Sequence, residues 1–119
     1  MSHTYTSSYI HYIFSTKERR PVLTPEIRQR LWPYFGGIAK AKNIPLIAAG
    51  GTADHGYLLI SQPPTITIAK AIQFFKGGTS FWLHETFPEL RSFAWQEGYG
   101  AFSIGFASLE STIRYILTQ

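Results

Sequence analysis

A chain of 119 residues, 45% of them hydrophobic, suits a single domain spanning residues 1–119 around one core. The absence of cysteine excludes a disulfide framework and a thiolate metal site, and fits a reducing, cytoplasmic setting. No apolar run reaches the length of a membrane span and the N-terminus lacks a basic-then-apolar export signal, so no membrane association is expected. The net charge of +4 favours an anionic partner, nucleic acid being the commonest, and aromatic residues at 16% offer surfaces for stacking.

Tyr5 to Ser15 alternates, with Tyr9, His11 and Ile13 on one face and Ile10, Tyr12 and Phe14 on the other. Apolar residues on both faces predict a central strand, on which His11 reads as a hydrogen-bonded core residue rather than a ligand. Lys17-Glu18-Arg19-Arg20 is a basic loop closed by Pro21, either solvated surface or a phosphate contact. Thr24-Pro25-Glu26 then starts a helix: Thr24 as N-cap, Pro25 at the first position, Glu26 at the positive end of the dipole. Ile27, Leu31, Tyr34, Phe35 and Ile38 give it an inward stripe. Pro33 and Gly36-Gly37 predict a kink near Trp32 or an early loss of regularity.

Ile44–Ala49 and His55–Ser61 read as two strands joined by the turn Gly50-Gly51-Thr52-Ala53-Asp54, hence an antiparallel hairpin with His55, Tyr57 and Leu59 on one face. Pro63-Pro64 ends the second strand. Thr65 or Thr67 caps a long helix that carries Ile68, Ile72, Phe75 and Trp82 inward and loses regularity at Lys76-Gly77-Gly78. Phe87-Pro88 ends it and leads past Arg91 into Trp95-Gln96-Glu97-Gly98-Tyr99-Gly100, a bent loop entering a strand that runs through Phe106. The last helix, about 108–119 and capped by Ser108, has the stripe Leu109, Ile113, Ile116. Tyr115 and Gln119, four apart, share its flank. So short a helix does not hold by itself and must dock through that stripe. The order β-α-β-β-α-β-α predicts a ferredoxin-like α+β sandwich, an antiparallel sheet with helices packed on it plus the C-terminal helix carrying the tyrosine.

Gly-Gly-Thr-Ala-Asp-His before an apolar strand, Trp-Gln-Glu-Gly-Tyr-Gly-Ala-Phe-Ser, the terminal Tyr-Ile-x-x-Gln and the early Phe-Ser-Thr-Lys-Glu-Arg-Arg-Pro fall in one order. Together they resemble the single-tyrosine HUH transposases of the IS200 group and their REP-associated relatives, over nearly the whole chain. The resemblance implies that the Tyr115 hydroxyl attacks a DNA phosphodiester, leaving a 5′-phosphotyrosine link and a free 3′-hydroxyl. It implies that His55 and Gln119 ligate a divalent metal, magnesium or manganese, together with a second histidine two residues after the first. This chain reads His55-Gly56-Tyr57, so Tyr57 stands where that histidine belongs. A protonated phenol is a weak ligand for such ions. The implied partners are single-stranded DNA with a stem-loop and a second copy of the chain, each tyrosine helix serving the partner's metal site. Arg19, Arg20, Lys76 and Arg91 are the expected DNA contacts. Beside the nicking-and-joining enzyme stand two alternatives: a relative that binds hairpin DNA without cutting it, and an unrelated ferredoxin-like domain for a small ligand or for protein assembly.

Overall fold

The structure is a computed structural model that describes residues 8–119. The strands are β1 (Tyr9–Ser15), β2 (Leu46–Gly51), β3 (His55–Ser61) and β4 (Gly100–Ile104); the helices are α1 (Pro25–Ala41), α2 (Ile68–Thr86) and α3 (Leu109–Leu117). All strand pairs are antiparallel in the order β2-β3-β1-β4, the ferredoxin-like arrangement expected from the sequence, with β1 central. The part of the expected first strand at Tyr5–Ser7 lies outside the described residues. Among the described residues no helix is long and apolar enough to cross a membrane.

The period-two pattern of β1 sorts the sheet into two faces. Ile10, Tyr12 and Phe14 join Leu58 and Ile60 in the main core, against Ile27, Leu31 and Phe35 of α1 and Ala71, Ile72, Phe75 and Leu83 of α2. On the other face a small second cluster, Ala48, Leu59 and Ile116 with Tyr57, Ile104, Leu109 and Ile113 around it, seats α3. The short terminal helix therefore docks through the stripe read from its sequence.

Several elements differ from their sequence expectation. Helix α1 runs through Pro33 and Gly36-Gly37 to Ala41 without early termination. An interior proline costs about 3 kcal/mol and each glycine about 1. Burying Ile27, Leu31 and Phe35 contributes about 1.5–3 kcal/mol apiece, enough to offset that cost. Helix α2 likewise continues past Gly77-Gly78; its buried residues include Ala71, Thr79 and Leu83, while Ile68 is exposed and Trp82 half-buried. Of the two candidate caps Thr67 is the one used, its hydroxyl accepting from the Lys70 amide. β4 stops at Ile104, before Phe106, and α3 ends at Leu117, its expected cap Ser108 making no side-chain cap bond. His11 is buried as expected, yet its Nε2 has no hydrogen-bond partner.

One core polar contact gives an alkaline signature. The Tyr12 hydroxyl, fully buried, donates to Gln62 Oε1 at 2.6 Å. Burial first, then the nearby Tyr99, raise its pKa from 10.0 to about 12. A raised value means that this contribution is complete below pH 10 and is lost as pH climbs through about 12. The loss should be about 2–3 kcal/mol, from two units at ~1.4 each. Denaturant midpoints measured across that range should fall for the wild type, and the fall should be shallower in Tyr12→Phe.

Candidate active site

The hairpin β2–β3 builds the centre. Gly50 pairs with Tyr57 and Gly51 with Gly56, and the chain turns back at Thr52–Asp54 to begin β3 at His55. A Cβ on Gly50 would run into the backbone carbonyl oxygen of Ile116, so this glycine is what lets α3 lie directly on the sheet. A Cβ on Gly51 would collide with the carbonyl of His55 across the turn. The two glycines of the motif thus serve tertiary approach and turn closure.

Across the sheet His55 pairs with Ser15, Tyr57 with Ile13 and Leu59 with His11, placing all six on the α3 face. The His55 and Tyr57 rings stack at 6.3 Å, and the Tyr115 ring meets Tyr57 edge-on at 5.6 Å. The nucleophile candidate therefore stands beside the position-57 phenol of its own sheet. Tyr115 is 49% exposed. A cleft of about 220 Å³ opens beside His55, lined also by Ile13, Ser15, Glu97 and Tyr99.

His55 Nδ1 lies 2.8 Å from Asp54 Oδ1, and the Thr52 hydroxyl donates to the same oxygen at 3.0 Å. The His55 hydrogen bond first, with the Thr52 hydrogen bond and the charges of His55 and Arg19 behind it, holds the Asp54 carboxyl below its ordinary value, although burial, the second-largest influence, opposes them. Burial first and the Tyr115 hydroxyl second push the Tyr57 phenol above its ordinary value. That is the wrong direction for a phenolate ligand.

The metal implied by the sequence resemblance can be tested against these donors. With Nδ1 engaged by Asp54, His55 offers Nε2. Gln119 donates its Nε2 to the Tyr115 carbonyl at 2.7 Å, which leaves Oε1 as its donor atom. Each is a donor type that divalent ions accept; Tyr57, a protonated phenol, is a poor third one. No group of three or more His, Cys, Asp or Glu side chains with metal-binding geometry occurs among the described residues.

The basic positions divide. Arg19 lies 3.8 Å from Asp54 and Arg20 3.1 Å from Glu18, both on the exposed loop. Lys76 is half-buried and its ammonium donates to the carbonyls of Gln96 and Gly98 at 2.7 and 2.9 Å. It fastens the Trp95–Gly100 loop, an employment the sequence did not reveal. Arg91 is exposed at the end of the short turn Pro88–Leu90, on a different segment from the loop. A cleft of about 320 Å³ between the two segments is lined by Lys17 and Arg20 but also by Glu18 and Glu89, so its charge is balanced. The residues missed by sequence reasoning are Thr52, Asp54 and Gly50. All three sit inside a motif that sequence had singled out, and a carboxylate directly before the histidine was the available signal.

The family model for IS200-like transposases matches residues 4–119. The transposases for insertion sequence element IS200 of Salmonella typhimurium and Salmonella typhi are each 27% identical over 127 residues, covering 100% of this chain and 83% of theirs. In fold, a candidate transposase from Deinococcus radiodurans R1 superimposes with a TM-score of 0.80 at 23% identity, covering 100% of this chain and 96% of that one. A REP-associated tyrosine transposase bound to a REP hairpin superimposes with a TM-score of 0.68 at 14% identity, covering 98% of this chain and 70% of that one. A match of motif, fold and family model over the same residues has one meaning: this chain belongs to the IS200-like transposase family.

Proposed function

We propose that this protein binds single-stranded DNA folded into a stem-loop, and that Tyr115 is its nucleophile for strand cleavage and joining in transposition. The observation that carries the proposal is the convergence of an exposed Tyr115, Tyr57 and His55 on one sheet face beside an open cleft. The hairpin-bound structural neighbour supports the choice of DNA. In the reaction the Tyr115 oxygen loses its proton and bonds to phosphorus while the 3′ oxygen leaves and takes up a proton. The 5′-phosphotyrosine so formed keeps the bond energy for the later joining step. His55 Nε2 and Gln119 Oε1 would hold a magnesium or manganese ion, which when bound polarises the scissile phosphate. Because Tyr57 supplies no second imidazole, the chain as it stands is expected to bind hairpin DNA well and cleave it poorly.

The basic loop is expected to touch the DNA backbone through whatever valence Asp54 and Glu18 leave to Arg19 and Arg20. Each phosphate contact to a single strand adds about 0.7 to the slope of log affinity against log salt. Replacing both arginines with alanine should flatten that slope by up to about 1.4 in hairpin titrations. An unchanged slope would assign the loop to plain solvent-facing surface.

A homodimer with sites shared between chains belongs to the same proposal. The exposed segment Gly105–Ser108 before α3 is the hinge at which the helix could exchange onto the identical surface of a second copy. Mixing Tyr115→Phe chains with His55→Ala chains, each also carrying Tyr57→His, should restore one competent site per pair. A mixture as inactive as its parents, beside an active Tyr57→His control, would mean that each helix serves its own sheet.

A further inference from the structure

The loop Thr16–Arg20 has an unusual backbone for its residues. Glu18 and Arg19 both lie at positive φ, 57° and 54°, the left-handed region that side chains other than glycine rarely adopt. The surrounding contacts hold them there. The Thr16 amide donates to the Asp54 carbonyl at 2.9 Å and the Thr16 hydroxyl to the Arg20 carbonyl at 2.8 Å. The Lys17 amide donates to the Ala94 carbonyl at 3.0 Å, and the Glu18 amide to Gln96 Oε1 at 3.0 Å. A loop meant only to offer cations to a phosphate needs none of this. What the conformation delivers is Arg19 Nε, 3.8 Å from Asp54 Oδ2, while the other carboxylate oxygen faces Thr52 and His55.

We propose that Asp54, braced by Arg19 and Thr52, is a positioning residue that fixes His55 as the Nδ1–H tautomer, leaving Nε2 as the free lone pair of its imidazole. An ionised carboxylate can only accept, so a ring nitrogen 2.8 Å from it must carry the proton. Which nitrogen of an imidazole is protonated is set by the bond the other one lacks or makes. Without Asp54 nothing in the local geometry selects Nδ1 as the donor, and a ring with its proton on Nε2 presents no lone pair there. The same bracket restrains rotation of the ring, since the Thr52 hydroxyl holds the Asp54 oxygen that faces it and the Arg19 charge lies 3.8 Å from the other. Glu97 is the carboxylate that lines the cleft beside His55.

The test reads the tautomer directly, on the full chain without DNA or metal. Long-range proton–nitrogen correlation spectra of histidine-labelled protein are recorded at about pH 8.5, above the ordinary imidazole range. The His55 signals are assigned by their loss in His55→Ala. Wild type should show Nδ1 protonated and Nε2 bare; Asp54→Ala should shift His55 to the Nε2–H form. Asp54→Asn, which keeps an acceptor oxygen, should retain the wild-type pattern. A wild-type His55 found protonated on Nε2 overturns the proposal outright, with no variant required to fold, as does an unchanged pattern in Asp54→Ala. A second arm rests on the proposed function: in a Tyr57→His background, Asp54→Ala should weaken manganese binding by about 10- to 100-fold. Equal affinity there would overturn the claim that the presented lone pair matters. Failure of the functional reading would show separately, as no binding of hairpin DNA by wild type.

Discussion

Replacing Tyr57 with histidine is expected to tighten manganese binding by about 10- to 100-fold, at least the range seen when a mere supporting contact of a metal ligand is restored. Formation of a covalent Tyr115–DNA adduct should rise with it, from near background to a dominant band. Position 57 shares a sheet face with His55 and its ring stacks on the imidazole, so the backbone already places a side chain there correctly. The phenol at that place is held above its ordinary pKa by burial and by the Tyr115 hydroxyl, and so stays neutral at physiological pH. A neutral phenol is a poor donor to a hard divalent ion; a neutral imidazole is a good one. Gly56 should be left alone in this experiment. A side chain could not be added there, because a Cβ at position 56 would come within 2.6 Å of the Phe14 ring. Phe14 already fills the space behind the site, and adding a side chain would overpack it. Calorimetry with manganese and a denaturing gel with labelled hairpin DNA check both halves. An adduct yield in Tyr57→His no greater than in wild type would remove donor deficiency as the explanation.

The second large effect is expected at Gly50. Substituting valine places atoms where the Ile116 carbonyl passes, and neither β2 nor the helix backbone can yield cheaply. Overpacking of this kind costs about 1–3 kcal/mol, more where backbone is struck. The docking of α3 rests mainly on one fully buried side chain, Ile116, worth about 1.5–3 kcal/mol. The two are comparable, so Gly50→Val should detach the helix while the sheet survives. Amide exchange in Ile113–Leu117 should accelerate sharply with β1 and β3 amides unchanged, and adduct formation should vanish even in a Tyr57→His background. Retained protection of α3 would show that the helix rides higher on the sheet than the structure places it.

The features readable from sequence are those fixed by near neighbours. The alternation in β1 and β3, the cap at Thr24, the narrowing of the second cap to Thr65 or Thr67 and the stripe Leu109-Ile113-Ile116 each depend on residues a few positions apart. With the order of elements they give the sheet topology. What escaped depends on contacts distant in the chain. Pro33 and the paired glycines argue locally for broken helices, and only the buried faces of α1 and α2 overrule them. Gly50 looks like turn chemistry until α3, sixty-odd positions later, is seen to cross it. Gly56 looks like a lost side chain until Phe14 is found in its place. Lys76 counted as a surface cation, and the sequence holds no sign that two carbonyls of a later loop would claim it. Asp54 was in view beside His55, but adjacency in a chain does not disclose whether two side chains face each other; the tight turn at Thr52–Asp54 decides that they do.

The central claim is that this family member keeps the tyrosine and the DNA-binding fold but lacks one metal donor. It is tested most directly by incubating the unmodified chain with manganese and labelled hairpin DNA from a closely related element. The mixture is split between a native gel and a denaturing gel. The account predicts a salt-sensitive shifted complex on the first and little or no covalent band on the second. A strong covalent band that disappears in Tyr115→Phe would contradict it, and would make Tyr57 a working substitute for the missing histidine.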